Sequence, residues 1–425
     1  MFASPHRLDL RIVCTARTPV REMLDIWPAF PIAVRVADYY EEINDNVVAA
    51  LEHHDRVCEI YADGISGEEL EELAPVLNDS FPSLTRLHLG SYEEASIVPV
   101  SFLGGSAPLL RSLFLMINFG HPSPLPQLLS SATDLVSLTL FDRSFISEEM
   151  MVDCLTTLTR LERLRIEYLF WLPHEGLRRQ SRHPRPPTKP TDLRLLPVLA
   201  TFIFVGATEY FDYLFTHIDA PQLEYINIEF NNRPIFNSSR ILLLTSLKES
   251  FEAFDQAHIV IKRDGSVNVR LSSRRGTTGG KMLQLLISRG IHESDWEFCG
   301  LNQDRVCRIF SPIPANFDSL APREVMFAGW PRLDVGNDHW LELFRFLSAA
   351  GNLYLSEAVA MCVAPALREL VGGRATEVLP ALQKLHIENL QPSGLIKEAI
   401  GEFVAARELS GHPVTVQSWT EEMKE

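Results

Sequence analysis

The stretch RGTTGGKM, residues 275–282, comes nearest in this sequence to a phosphate-binding loop, whose backbone amides and lysine would cradle a nucleotide. Such a loop needs a first glycine five positions before the Gly-Lys pair and a hydroxyl after the lysine to hold magnesium. Arg275 and Met282 occupy those positions, so the stretch reads as a glycine-rich turn. His53-His54 would be half of a metal site, yet neighbours on a helix point about 100° apart and do not chelate together. The acidic pairs Glu41-Glu42, Glu71-Glu72 and Glu148-Glu149 fit solvated helix faces better than acid–base catalysis. No G-x-S-x-G, H-E-x-x-H or metal-spaced Cys/His set is present. The expectation is therefore no enzyme, no catalytic residue, no metal ligand and no cofactor.

Recognition chemistry is the remaining possibility, and it calls for arginines and rings on an ordered surface, the types enriched at binding hot spots. Arg86, His88, Phe114, Phe141, Arg163, Arg165, Tyr225 and Asn227 have that character. A recurring pattern positions them. The template Leu-x-x-Leu-x-Leu, with other large apolar residues allowed, occurs at Leu84-Leu87-Leu89, Leu110-Leu113-Leu115, Leu135-Leu138-Leu140 and Leu161-Leu164-Ile166, its middle residues 26, 25 and 26 apart. A fixed period of 20–29 residues with this pattern marks a leucine-rich repeat.

The register continues upstream, degenerate, as Val57-Ile60-Ala62, Pro31-Val34-Val36 and Arg7-Leu10-Ile12. Downstream come Leu199-Phe202-Phe204, Leu223-Ile226-Ile228, Pro322-Val325-Phe327, Ala350-Leu353-Leu355 and Leu382-Leu385-Ile387. Between the templates apolar residues recur at helical spacing, over Glu42–His53, Glu68–Asn78, Ser147–Leu158, Glu209–Ile218, His339–Ala350, Ser356–Val371 and Gly394–Leu409. The expected fold is an α/β leucine-rich-repeat solenoid over 1–425, curved, with a parallel sheet on the concave face and helices on the convex face. The Leu slots point inward; the residues between them alternate to the concave side, where the eight candidate side chains sit.

Three interruptions are expected. Residues 172–190, with five prolines and five Arg or Lys, cannot bury enough apolar surface to order themselves and predict a mobile insertion. The segment 255–330 is irregular: Asp264-Gly265 between alternating apolar runs predicts a β-hairpin, and 275–300 is poorly phased. Residues 394–425 predict a C-terminal cap, with PVTVQSW (413–419) as a closing strand.

A net charge of −16 argues against a general nucleic-acid or anionic-membrane binder. The start, MFASPHRLDLRIVC, is too polar for a signal peptide, and the longest apolar run, 195–207, is too short to span a bilayer. Six scattered cysteines without C-x-x-C suit buried thiols in a reduced compartment. The expected location is intracellular, cytoplasmic or nuclear, with no nucleic acid and no membrane as partner.

The stretches LRIVCTARTPVREMLDIWPAFPIAV (10–34), NVVAALEHHDRVCEI (46–60), SSATDLVSLTLFD (130–142), LPVLATFIFVGATEY (196–210) and PVTVQSW (413–419) are similar to those of fungal F-box and leucine-rich-repeat proteins. The resemblance extends over essentially the whole chain. It implies substrate recognition by the repeats, and in that group an N-terminal F-box that docks on the Skp1 adaptor of a cullin ubiquitin ligase. There the counterpart of FASPHRLDLRIVC follows directly on the F-box, whereas here Met1 precedes it. The expected partner is an unknown protein substrate, with Skp1 only if an F-box exists upstream of Met1. A stand-alone or decoy scaffold is the alternative.

Overall fold

In a computed structural model of the chain the described residues are 11–24, 26, 29–36, 43–91, 93, 97–119, 123–142, 146–168, 194–230, 255–261, 267–272, 282–287, 322–329, 337–345, 347–370, 374–389 and 394–419. The chain divides into two compact units, Met1–Leu223 and Glu224–Glu425. The insertion expected at 172–190 lies outside the described residues, as do Leu10, Asp264-Gly265, Cys299, Cys307 and all of RGTTGGKM but its last residue.

The first unit opens with β1 (Ile12–Cys14), α1 (Val20–Met23), β2 (Ile32–Val36), α2 (Asp45–Leu51), β3 (Val57–Ala62), α3 (Gly67–Leu77), β4 (Arg86–Gly90) and β5 (Ile97–Val98). It continues through β6 (Ser112–Met116), β7 (Asn118–Phe119), α4 (Leu125–Ser131), β8 (Ser137–Asp142), α5 (Glu148–Leu155) and β9 (Arg163–Tyr168). Last come β10 (Arg194–Leu195), β11 (Thr201–Gly206), α6 (Thr208–His217) and β12 (Ile218–Asp219). β1, β2, β3, β4, β6, β8, β9 and β11 lie side by side in that order, every pair parallel. β5–β7 and β10–β12 are short separate parallel pairs.

A turn that the Leu template conceals sets this regularity. The carbonyls of Phe81, Ala107, Ala132, Leu158, Leu196 and Ala220 accept from the N–H groups of Leu84, Leu110, Leu135, Leu161, Leu199 and Leu223, at 3.1–3.2 Å. Pro82, Pro108, Pro197 and Pro221 take the second position, where a fixed φ pre-forms a type I turn. The next amide then reaches back to the preceding repeat: Thr85 to Cys58, Arg111 to Thr85, Val136 to Arg111, Glu162 to Val136, Ala200 to Glu162, at 2.8–2.9 Å. Turn and back-bond together lock each strand in register with its neighbour. Leu87, Leu113, Leu138, Leu164 and Phe202 consequently stack one on the next, all buried.

Helices cover the Leu side. α3 begins with a capping box in which Ser66 Oγ accepts from the Glu69 N–H and the Glu69 carboxylate accepts from the Ser66 N–H. Its Leu70, Leu73 and Leu77 are buried, while Glu68, Glu71 and Glu72 are not. Ser147 caps α5 in the same way, through the Met150 N–H. Cys14 and Cys154 are buried thiols; loss of solvent raises both, and Cys154, with Asp153 adding to the effect, is pushed up to about 12.

The second unit holds β13 (Tyr225–Phe230), β14 (Gln256–Ile261), β15 (Val267–Ser272), β16 (Met282–Ile287), β17 (Glu324–Gly329), α7 (Asn337–Arg345), β18 (Asn352–Leu355), α8 (Glu357–Arg368), β19 (Lys384–Glu388), α9 (Leu395–Leu409) and β20 (Thr415–Trp419). Its strand order is β13-β16-β15-β14-β17-β18-β19-β20. β15 is antiparallel to both neighbours, with Val267 opposite Ile261 and Ile287, and the other pairs are parallel. The poorly phased stretch 275–300 contains a strand that the sequence reading did not place. MLQLLI (282–287) is strand β16, and it pairs with β13 in place of β14, which comes next in sequence. A run of five apolar residues in six carries no period-2 signal, so only its partners reveal it.

At the end of this unit Arg407 of α9 is 1% exposed. It donates to the carbonyls of His412 (3.1 Å), Ala375 (3.3 Å), Pro380 (3.3 Å) and Leu382 (3.0 Å), so a buried cation is satisfied by backbone dipoles. Trp419 Nε1 donates to the Leu355 carbonyl at 3.3 Å, fixing β20 against the apolar layer. Both units are α/β, with the Leu slots of successive repeats stacked beneath parallel strands, and the fold is a leucine-rich-repeat solenoid.

Candidate protein-binding surface

In the first unit the strand side chains opposite the Leu slots form rows that cross the sheet. One row runs Glu59, Arg86, Ser112, Ser137, Arg163, Thr201 from β3 to β11. The next runs Arg35, Tyr61, His88, Phe114, Thr139, Arg165, Ile203 from β2. A third brings Phe141 opposite Glu167. These are the positions that period 2 assigns to the face away from the core, and most are half-buried or exposed.

A continuous series of ring contacts begins in the second row and ends in the third. Tyr61 lies on His88 at 4.2 Å and 24°, His88 on Phe114 at 3.8 Å and 4°, and Phe114 meets Phe141 at 5.3 Å and 49°. The Arg165 guanidinium closes the series, with Cζ 5.2 Å from the Phe141 centroid, inside cation–π range. Glu167 holds it there through a 2.6 Å bond to the Arg165 Nε. Parallel strands about 4.8 Å apart bring equivalent rings to stacking distance with no further device.

Charge on this face is largely paired. Glu59, 7% exposed, binds Arg11 and, at 3.0 Å, Arg35. His88 Nε2 stands 3.7 Å from Asp63 Oδ1, beyond hydrogen-bond length. Enclosure between two rings lowers the His88 pKa, an effect that the Asp63 carboxylate opposes. Asp63 fits there because residue 90 is glycine: a Cβ at Gly90 would stand 2.3 Å from Asp63 Oδ1. Arg86 and Arg163 are exposed and form no ion pair or side-chain hydrogen bond among the described residues.

Six of the eight candidates thus share one face: Arg86, His88, Phe114, Phe141, Arg163 and Arg165. Tyr225 and Asn227 stand on the equivalent side of β13 in the second unit, opposite Met282 and Gln284 of β16. That unit has its own ring contacts, with Tyr354 stacked on His386 at 4.2 Å and 7° and Trp419 edge-on to Tyr354 at 6.2 Å. Sequence reading overlooked Tyr61, Glu59 and Glu167. Tyr61 was findable, because it falls between Ile60 and Ala62 of a degenerate template, the slot of His88 and Phe114 in better ones.

Among the described residues no group of three His, Cys, Asp or Glu is placed to hold a metal, and no helix is long and apolar enough to cross a membrane. The chain matches no family model and no curated protein. Similar solved structures include the leucine-rich repeat-containing protein LegL7 from Legionella pneumophila, 12% identical, with a TM-score of 0.31 over 97% of this chain and 91% of that one.

Proposed function

We propose that the chain is a recognition scaffold that holds a protein partner on the outward strand face of its first unit. The observation that supports this is the ring stack Tyr61-His88-Phe114-Phe141 with Arg165 at its end. Stacked rings lose little rotamer freedom on binding, and Arg and Tyr are the types that anchor interfaces. The resemblance to F-box and leucine-rich-repeat proteins extends this reading to selection of a substrate for a cullin ubiquitin ligase, with the repeats holding the substrate and Skp1 joining only through an F-box.

The experiment replaces Phe114 with Ser and Arg165 with Gln, which removes the positive charge but keeps a donor for Glu167. Both side chains are partly exposed, so Tm should change by only about 2 °C, while a partner that the natural chain retains should be lost. A partner retained by the double variant would move the binding surface elsewhere. For ligase coupling, purified Skp1 is mixed with this chain and with a version carrying any in-frame F-box found upstream of Met1. Binding to the longer version alone is the expected result. Binding to neither leaves the stand-alone scaffold, and binding to both contradicts the dependence on an F-box.

A further inference from the structure

The row beside the ring stack is built differently from the stack. Between β4 and β9 it reads Arg86, Ser112, Ser137, Arg163, and none of these four side chains has an ion pair or hydrogen bond among the described residues. Two exposed guanidiniums thus flank two half-buried hydroxyls, a strip rich in donors in a chain of net charge −16. The carboxylates of the face are committed: Glu59 to Arg11 and Arg35, Glu167 to Arg165. Asp63, beside His88, is the exception, and it lies on the opposite side of the ring row from Arg86. In the second unit the equivalent row bonds to itself, Ser272 to Gln256 at 3.3 Å, Gln256 to Glu324 at 3.0 Å and Asn352 to Glu324 at 3.4 Å. The first unit's row is left open.

We propose that this open row binds an extended acidic segment of the partner protein, a refinement that rests on the scaffold reading above. Arg86 and Arg163 are three strand spacings apart, about 14 Å. An extended peptide rises about 3.3 Å per residue, so carboxylates four positions apart span about 13 Å and face the same way. The side chain midway between them also faces the sheet, above Ser112 and Ser137 and next to Phe114. The recognised pattern is an acidic residue, a large apolar residue two positions on and a second acidic residue two further on. The carboxylates accept from the guanidiniums, and the apolar side chain covers the exposed edge of Phe114.

The test pans a library of random displayed peptides on the full chain and measures a synthetic consensus peptide against the natural chain, R86E/R163E and F114S. Enrichment of two Asp or Glu four positions apart around an apolar residue is expected. The consensus peptide should bind R86E/R163E about tenfold or more weakly, weaken with added salt, and regain binding to that variant when its acids become Lys. An unaltered Tm would show that the variants are folded. Absence of selected peptides, selection without acidic enrichment, or equal binding to R86E/R163E would overturn the inference. The two readings separate cleanly: ligands lost with F114S but indifferent to R86E/R163E sink the acidic segment and keep the scaffold, whereas ligands indifferent to both sink the scaffold surface as well.

Discussion

Both units set a histidine on a tyrosine across neighbouring parallel strands at the same 4.2 Å separation, Tyr61 with His88 and Tyr354 with His386, yet the rows beside these stacks differ. In the second unit the row is closed by Gln256, Glu324 and Asn352, and the stack itself ends on Trp419, which the Leu355 carbonyl pins. In the first unit the stack extends through Phe114 and Phe141 to Arg165, while the side chains of Arg86, Ser112, Ser137 and Arg163 have no hydrogen bond or ion pair among the described residues. Polar groups satisfied internally stabilise a fold, and those left open contribute to a bound state instead. The contrast supports the binding role proposed for the first unit's face and a structural role for the second unit's row.

That contrast can be broken most forcefully beneath both faces. Leu138 and Leu385 are each 0% exposed, and alanine at either should cost about 2–5 kcal/mol by equilibrium unfolding. A smaller loss at Leu138 would mean that the first unit's Leu layer is not the continuous core described. Next is Arg407→Met, which strands the carbonyls of Ala375, Pro380 and Leu382 in a buried site; about 3 kcal/mol is expected in the same measurement. A variant as stable as the natural chain would show that the cap does not depend on that cation.

The comparison of the two polar rows predicts smaller and opposite effects. Gln256→Ala removes the partner of both Ser272 and Glu324 and should destabilise by about 1 kcal/mol, whereas Ser112→Ala with Ser137→Ala should stay within about 0.5 kcal/mol. Equal losses in the two rows would erase the distinction between a closed and an open face. The smallest effect is on pH dependence. Burial lowers both His88 and His386, the latter with Lys384 reinforcing and Glu324 opposing. An unfolded histidine titrates near about 6.5, so the unfolded chain binds more protons just below that pH. The stability from neutral histidines is therefore complete above it and declines as pH falls. His88→Phe, which keeps a ring in the stack, should flatten part of the fall in Tm between pH 7 and 5.5; an unchanged slope would locate the dependence in other groups.

Much of the first unit was legible because its signals are local. The Leu template, the alternation around it and the helical spacing between templates match β3, β4, β6, β8 and β9 and α3, α5 and α6 to within three residues at each end, whereas β5, β7 and α4 carry no such signal. The alternating runs on either side of Asp264-Gly265 are strands β14 and β15. What escaped is equally specific. β16 lacks a period, and Tyr61 was passed over because its repeat, with valine, isoleucine and alanine in the Leu slots, looks weak when read alone.

The sequence by itself determined which side chains lie beneath the strands and which lie above, since that depends only on period 2 within a strand and on burial of every apolar slot. The tertiary structure decided which of the outward side chains meet. Residues 26 and 27 positions apart, such as Phe114 with His88 and His88 with Tyr61, become neighbours only through the turn and back-bonds that set register between repeats. The same holds for the placing of β16 between β13 and β15 and for the pairing of Glu59 with Arg11 and Arg35. A shift of one residue between strands would reverse every such contact while leaving the alternation within each strand untouched, so no single strand encodes them.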